Sequence, residues 1–289
     1  MKFIPGGSAT NIAANVSMIG MKGIYLGVIG RDSSANICLE DLKNRNVDIS
    51  NVIQTDEDST AFSLILKTDW GRDRSVLAYK GANNLLKPSD VKEELFNNID
   101  GFAWTSLTSE NGCQAINKAI QLTKNRGKMV FAAPSMSIIK NNPEWSKKLI
   151  SQSDVVSMNN EEASEFTGKN STIDMLNYIH NLGVRIVSIT DGSNGSTIFD
   201  GETLVRTNVF NTRVEDTTGA GDAFLSGIII STFLGFTLEK TARIATAMSA
   251  LECSATGVRE GLPHNLQVLE EFIERNEIEQ TISKLNIQS

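Results

Sequence analysis

The sequence lacks the features that mark several large classes of protein. Its three cysteines, Cys38, Cys113 and Cys253, lie far apart without a CxxC pair, which argues against a disulfide framework or a zinc site. Basic residues are outnumbered by acidic ones, 27 against 34, and the net charge of −7 favours neither nucleic acid nor an anionic membrane as a partner. These absences predict a cytoplasmic protein that acts on a small molecule.

Long apolar runs, targeting signals and linkers are also scarce. The longest apolar run, Leu225 to Phe236, is interrupted by Ser and Gly and is too short to span a bilayer. Near the N-terminus Pro5 and Gly6 end the apolar stretch at once, unlike a secretory signal. No repeat or Pro-rich linker divides the 289 residues, so one large domain is predicted. Because no GxGxxG turn follows an early strand, a Rossmann dehydrogenase is disfavoured.

The chain does contain an alternation of apolar strand patterns and helical patterns. Strand patterns such as Gly23 to Ile29 and Asp154 to Met158 alternate with helical patterns such as Asn111 to Asn125. Such alternation predicts an α/β fold with a mostly parallel sheet. The last residues, 276–289, are polar with scattered Ile and Leu, which favours a peripheral helix or a frayed tail.

One stretch departs from the alternation. Between residues 60 and 82 two β-rich runs flank a Gly/Asp turn at 69–73, a pattern typical of a hairpin. An antiparallel hairpin within a parallel α/β pattern is suited to act as a lid or as a contact between the subunits of a homodimer. Gly81, Ala82 and Asn83 follow the second run directly and are interpreted as a hinge.

The strongest candidate for an active centre is the segment from Asp216 to Phe224. Gly219 and Gly221 lack a Cβ, so successive N–H groups at the start of the predicted helix can hold an anion. Asp222 falls in the first helical turn, beside that anion. A carboxylate next to a bound phosphate makes sense if it acts on a hydroxyl that attacks the phosphate. The alternative is a Gly-rich turn whose Asp complements the helix dipole.

Three other polar turns precede this segment. Residues 6–11, with two glycines followed by Ser, Thr and Asn, either offer donors to a polyhydroxylated ligand or simply cap a helix. Residues 159–162 follow a predicted strand and open a helix, where carboxylates are usually caps, although open α/β sheets bind ligands at such ends. Residues 190–195 form another Gly-rich turn at a strand end.

In this order, the four turns resemble those of the ribokinase-like (PfkB) family of carbohydrate and nucleoside kinases. The similarity runs over nearly the whole chain, and residues 216–222 match the family's Asp-Thr-x-Gly-Ala-Gly-Asp signature at every position. The resemblance implies a three-layer α/β/α sandwich, with residues 1–289 as one domain and a small β lid inserted at about 60–82. It also implies transfer of the γ-phosphate of ATP to a hydroxyl of a sugar or nucleoside.

The resemblance also implies roles for individual residues. The catalytic base would be Asp222, and the N–H groups that hold the phosphate would be those of Gly219, Ala220 and Gly221. Mg²⁺ would be bound, largely through water, by Asn159 and Glu162. The sugar would be bound by Gly6, Gly7, Asn11 and Asn83. ATP would be bound by Thr190, Gly192, Ser193, Gly195, Thr217, Ala247 and Gly257. A monovalent cation such as K⁺ would be bound near Asp216, Thr218 and Gly257.

The sequence also departs from the family pattern. Relatives usually carry a first strand and part of the lid before the Gly-Gly turn, and only residues 1–5 precede it here. Either the sequence is a truncated form of a longer chain, or the protein is a naturally shortened relative, impaired in catalysis or regulatory, that binds a nucleotide. Relatives commonly have Gly at the position of Ala35 and often have Asn or Asp at the position of Ala133. Ribokinases have a substrate-binding Glu near the position of Leu107. Ribose is therefore no better supported than another sugar or a nucleoside.

Overall fold

The computed structural model describes residues 3–67 and 74–285. Ten α-helices are assigned within these residues: α1 (Ser8–Met18), α2 (Ser33–Asn44), α3 (Glu110–Lys124), α4 (Met136–Asn141), α5 (Pro143–Ile150), α6 (Asn160–Thr167), α7 (Thr172–His180), α8 (Ala220–Phe233), α9 (Leu238–Cys253) and α10 (Leu266–Arg275). The strands are β1 (Ile24–Gly30), β2 (Asp48–Thr55), β3 (Phe62–Lys67), β4 (Arg74–Tyr79), β5 (Gly101–Thr105), β6 (Met129–Ala133), β7 (Val155–Asn159), β8 (Ile186–Thr190), β9 (Ser196–Phe199), β10 (Thr203–Thr207) and β11 (Gln280–Lys284).

The central sheet has seven strands in the order β11-β10-β9-β8-β7-β6-β5. Strands β5 to β8 are parallel, whereas β9 is antiparallel to both of its neighbours and β11 is antiparallel to β10. Five of the seven strands therefore point in one direction. The predicted α/β fold with a mostly parallel sheet is confirmed.

Side chains alternate between the two faces of this sheet and bury two separate cores. On β6, Phe131 packs on α1, α8 and α9, while its neighbour Val130 packs on α3 to α7. On β7, Val155 and Val156 divide in the same way. Because successive strand residues point to opposite faces, a helix layer covers each side of the sheet. The result is a three-layer α/β/α sandwich.

Two smaller sheets lie apart from the seven-stranded one. Strands β1 and β2 pair in parallel, and Val28 of β1 packs against Ala82 and Phe96. Strands β3 and β4 form the antiparallel hairpin that the sequence indicates, although its turn lies outside the described residues. At the hairpin base the Ala82 N–H donates to the Ser59 carbonyl at 2.9 Å.

The prediction for the C-terminal residues is wrong in one respect. Residues 280–284 form neither a helix nor a frayed tail, but a strand that pairs with β10, with Ile282 opposite Val205. The edge of β10 offers main-chain donors and acceptors that a nearby extended segment satisfies. Among the described residues, no helix is both long and apolar enough to cross a membrane.

Candidate active site

The start of α8 is built on two glycines with different surroundings. Gly219 is the N-cap and has a left-handed backbone, with φ 86° and ψ −9°. A Cβ at Gly219 would lie 2.6 Å from Oε1 of Glu252, whereas a Cβ at Gly221 would meet nothing within 4 Å. Gly219 is thus required by the fold, while Gly221 leaves open space against the main chain. An anion can occupy that space at the positive end of the helix.

Asp222 lies in the first turn of α8 and is half-buried. Its Oδ2 accepts a hydrogen bond from Nδ2 of Asn11 at 2.7 Å. Burial raises the pKa of Asp222, although hydrogen bonds from Asn11 and Ser8 and the positive charge of Arg259 act in the opposite direction. A carboxylate with a raised pKa is a better proton acceptor than an exposed aspartate, and it stands beside the candidate anion site.

Asn11 is buried, and both ends of its carboxamide have partners. While Nδ2 donates to Asp222, Oδ1 accepts from Nε of Arg259 at 2.9 Å. In this conformation Asn11 holds the candidate base. Gly6 and Gly7, the other members of the predicted sugar turn, are exposed, and the Gly7 carbonyl accepts from the Asn11 N–H at 2.8 Å.

The first turn of α6 is closed by a reciprocal pair of hydrogen bonds. Oδ1 of Asn159 accepts from the N–H of Glu162 at 2.8 Å, and Oε2 of Glu162 accepts from the N–H of Asn159 at 3.0 Å. Burial raises the pKa of Glu162, and the negative charge of Asp222 raises it further. The charge of Asp222 is thus one of those that act on Glu162, and α8 packs against β7, the strand that leads directly into α6.

Carboxylates of the site, together with the oxygens of a bound phosphate, could bind a divalent cation. The described residues contain no group of three His, Cys, Asp or Glu that could hold a metal by itself. Mg²⁺ often keeps several waters and uses only one or two carboxylates together with phosphate oxygens. Glu162 fits that use, because a nearby cation would stabilise a carboxylate that burial and Asp222 destabilise.

The third turn lies beside the second because their strands are adjacent. Strands β7 and β8 are parallel, and Thr190 pairs with Asn159 at their ends. Within the turn, Gly195 has φ 87°, and a Cβ there would lie 2.1 Å from the Thr207 carbonyl oxygen. Ser193 and Gly192 are exposed. The predicted nucleotide turn and the predicted Mg²⁺ residues thus share one edge of the sheet.

The remaining predicted residues occupy varied environments. Ala247 has no exposed surface and Gly257 is buried, so neither lines open space in this conformation, whereas Thr217 is exposed. Oδ1 of Asp216 accepts from the N–H and the hydroxyl of Thr218, at 3.1 and 2.8 Å. Asn83 belongs to a 3₁₀ helix, Gly81–Leu85, and is half-buried.

The site also contains two buried charged residues, Glu252 and Arg259, that the sequence did not reveal as site residues. The two carboxylate oxygens of Glu252 accept the N–H of Arg259 at 2.8 and 3.1 Å. Burial raises the pKa of Glu252 to about 7, and the negative charge of Asp222 contributes to the shift. The available signal was a charge inside an apolar stretch: Glu252 lies between Leu251 and Cys253 at the end of a buried helix.

Comparisons with known proteins identify the family of this chain. The model of the pfkB family of carbohydrate kinases matches residues 1–265. An ATP-dependent 6-phosphofructokinase of Thermoanaerobacterium thermosaccharolyticum is 29% identical over 265 residues, which cover 89% of this chain and 81% of that protein.

Solved structures with the same fold include two sugar kinases. The Arabidopsis thaliana ribokinase complexed with ribose and ATP has a TM-score of 0.82 at 22% identity, over 93% of this chain and 87% of that one. The Vibrio cholerae O395 fructokinase bound to fructose, ADP and calcium has a TM-score of 0.81 at 21% identity, over 94% and 92%. These neighbours confirm the ribokinase-like fold that the sequence predicts.

Proposed function

This chain belongs to the pfkB family of carbohydrate kinases, and we propose that it transfers the γ-phosphate of ATP to a sugar hydroxyl with Asp222 as the base. One observation carries the proposal: the Asp222 carboxylate stands in the first turn of α8, next to the open main chain at Gly221. A phosphate at that helix end and a hydroxyl next to Asp222 would be neighbours.

The N–H groups at the start of α8 would stabilise the transferring phosphoryl group. Phosphoryl transfer passes through a loose transition state whose charge spreads over peripheral oxygens, so positioning and charge stabilisation provide most of the catalysis. The main chain of Gly219, Ala220 and Gly221 is fixed by the left-handed N-cap and by the Ala223 N–H bond to the Gly219 carbonyl at 2.9 Å. Preorganised donors of this kind contribute about 2.7–4 kcal/mol each.

Asp222 would orient the acceptor hydroxyl and accept its proton as the new bond forms. Its Oδ2 is occupied by Asn11, which fixes the carboxylate plane, and its raised pKa favours proton acceptance. A positioned general base typically contributes about 10²–10⁴-fold in rate. Mg²⁺, when bound with ATP, would neutralise phosphate charge, and Asn159 and Glu162 would hold it through water.

The replacement Asp222→Asn tests this proposal. We expect the Kd for ATP to change by less than about two-fold, because the base is not needed for nucleotide binding, while kcat falls by about 10²–10⁴-fold. Isothermal titration with ATP and a coupled assay of ADP release would give both numbers. Asp100→Asn, at a carboxylate that is 83% exposed, is the control and should leave both unchanged. Near-normal turnover of the Asp222 variant would remove Asp222 from the base role.

The acceptor is proposed to be a sugar or a sugar phosphate. Support comes from the similarity to proteins described as a 6-phosphofructokinase and as a fructokinase. A screen of ADP release across hexoses, pentoses, phosphosugars and nucleosides would identify it. Turnover with nucleosides alone would contradict the sugar assignment, and nucleotide binding without turnover of any acceptor would favour an impaired or regulatory relative.

A monovalent cation is proposed to bind beside the anion site. The Asp216 N–H donates to the Cys253 carbonyl at 3.3 Å, which brings the Asp216 turn against the end of α9, close in sequence to Gly257. The main-chain carbonyl oxygens near Asp216, Thr218 and Gly257 would be the ligands, since K⁺ is bound by such oxygens. Turnover in K⁺ is expected to exceed turnover in Na⁺ or Cs⁺ at equal ionic strength, and identical rates would contradict the site.

The protein is further proposed to form a homodimer through its hairpin and to work in the cytoplasm. One face of the hairpin carries Phe62 and Leu77, which are 61% and 60% exposed. A second copy would cover this apolar face. Cys38 and Cys113 are free thiols, a state that a reducing compartment maintains.

A further inference from the structure

Arg259 is held in an unusual conformation by contacts on both sides of its main chain. Its side chain is 2% exposed, and its φ of 74° lies in the left-handed region. Its N–H is bound by Glu252, and its carbonyl accepts from Nη1 of Arg45 at 3.2 Å. Such a backbone is unfavourable in a residue other than glycine, so the surrounding contacts must impose it. They direct the guanidinium into the interior.

The guanidinium joins two helices through three acceptors. It donates to Oγ1 of Thr10 at 2.8 Å, to Oδ1 of Asn11 at 2.9 Å and to the carboxylate of Asp41. Thr10 and Asn11 belong to α1, whereas Asp41 belongs to α2. The charge of Asp41 balances that of Arg259, which is a condition for burying an arginine at tolerable cost.

The contact with Asn11 determines which way its amide faces. A guanidinium has only donors, so it can bind the Oδ1 end of the amide but not the Nδ2 end. With Oδ1 bound to Arg259, Nδ2 faces Oδ2 of Asp222 at 2.7 Å. The flipped amide would place an oxygen against the carboxylate and an NH₂ group against the guanidinium, and both contacts would be repulsive.

We propose that Arg259 is a positioning residue for the reaction: through Asn11, it sets the orientation of the Asp222 carboxylate. The inference rests on the proposed function, because it assumes that Asp222 is the base. Arg259 itself does not touch the reacting atoms. It acts through a fixed order of hydrogen bonds, from Asp41 through Arg259 and Asn11 to Asp222.

A purely structural role makes different predictions. If Arg259 only ties α2 to α1, its loss would lower stability and leave the kinetics of the folded protein unchanged. If it sets the orientation of the base, kcat should fall while the KM for ATP stays nearly constant. The orienting effect should also disappear once Asn11 is removed, since the hydrogen-bonded path from Arg259 to Asp222 runs only through Asn11.

The test is a double-mutant cycle of Arg259→Met and Asn11→Ala on folded protein, with thermal unfolding measured in parallel. Arg259→Met should lower kcat by about 10- to 100-fold, with the KM for ATP changed by less than about two-fold. The double variant should be no slower than Asn11→Ala alone. Asn15→Ala, one helical turn further on and bonded to Ser226, is the matched control and should keep kcat. Losses that multiply in the double variant would overturn the proposal.

A second variant shows whether a loss of activity comes from misfolding. A second measurement, independent of activity, tests the role of Arg259 even if the proposed function is wrong. Arg259→Lys keeps the charge but cannot reach three acceptors, so it should recover stability more fully than kcat. In protein labelled with ¹⁵N-asparagine, the Asn11 side-chain amide, assigned by its absence in Asn11→Ala, should exchange slowly with solvent and lose this protection in Arg259→Lys. Unchanged protection would overturn the proposal whatever the activity. Normal turnover of Asp222→Asn would instead count against the base assignment alone.

Discussion

At the scale of single residues, Gly219 and Gly221 are glycines for different physical reasons. Gly219 needs a left-handed backbone, and a Cβ there would press on the Glu252 carboxylate. Glu252 cannot easily move away, because both of its oxygens accept the Arg259 N–H. Gly221 has no such neighbour, and a side chain there would only fill the open space in which an anion can sit.

The two substitutions Gly219→Ala and Gly221→Ala should therefore have different effects, the first on stability and the second on activity. Gly219→Ala is expected to lower the free energy of unfolding by about 1–3 kcal/mol. Gly221→Ala should leave stability within about 0.5 kcal/mol of the wild type and still abolish phosphoryl transfer, since its methyl group occupies the anion space. Urea unfolding and ADP release measure the two effects. A Gly221 variant with normal turnover would contradict the assignment of the anion site.

Glu252 should make stability depend on pH. Its pKa is raised by burial to about 7, above the value of an unfolded glutamate. The folded state therefore binds a proton more tightly than the unfolded state, so the stabilisation is complete below about pH 4.5 and is lost as pH rises through 7. Glu252→Gln keeps an acceptor for the Arg259 N–H but cannot ionise.

We expect the stability of Glu252→Gln to fall less than that of the wild type between pH 5 and pH 8. The difference should approach about 2–4 kcal/mol, the range set by a shift of this size. Asp222 and Glu162 also have raised pKa values, so part of the dependence should persist in the variant. Glu277→Gln, at an exposed carboxylate, is the control. Parallel stability profiles of wild type and Glu252→Gln would show that Glu252 is ionised throughout.

At the scale of elements, α6 combines an ordinary helix cap with a place in the site. Its N-cap Asn159 and its Glu162 exchange hydrogen bonds, and Thr237 caps α9 through the Lys240 N–H at 3.3 Å. Both Asn159→Ala and Thr237→Ala should lower stability by about 1 kcal/mol. Only Asn159→Ala should raise the Mg²⁺ concentration needed for half-maximal turnover, because Asn159 is also one of the two residues proposed to hold Mg²⁺ through water. An equal Mg²⁺ requirement in both variants would assign Asn159 to capping alone.

Local patterns of residues predicted most of the helices and strands. The wrong prediction, at the C-terminal residues, concerns a segment whose conformation is set by tertiary contacts. Helix α8 is apolar on all sides and is buried accordingly, which a pattern of residues can indicate. Strand β11 is different: four of its five residues are exposed, and Ile282 is 52% exposed. Its own residues do not specify a buried face, so only the free edge of β10 explains why the segment is extended.

At the scale of the whole molecule, the hairpin leaves an apolar face exposed. Phe62 pairs with Tyr79, and Leu64 pairs with Leu77, so these four side chains share one face. If a second copy covers this face, the protein should sediment as a dimer at micromolar concentration. Leu77→Glu should then sediment as a monomer, because a buried charge without a partner opposes association. Ser63→Glu, on the opposite face, should remain dimeric. A monomeric wild type would contradict the proposed interface.

The sequence by itself determined the fold class and the reaction type of this protein. Residues 216–222 carry the family signature in contiguous positions, so a short segment contains the glycines, the helix start and Asp222 together. Their chemistry depends on neighbours along the chain, which a pattern can reveal.

Only the tertiary structure decided which distant residues support that segment. Arg259 and Asn11 are separated by 248 positions, yet they share a hydrogen bond. Glu252 reaches Gly219 from the end of another helix. The roles of these side chains depend on their burial and on the positions of their hydrogen-bond partners. The burial and the partners exist only once α1, α2, α8 and α9 have packed together. No local pattern of residues encodes such contacts, because a buried charge is stabilised by groups from elsewhere in the chain.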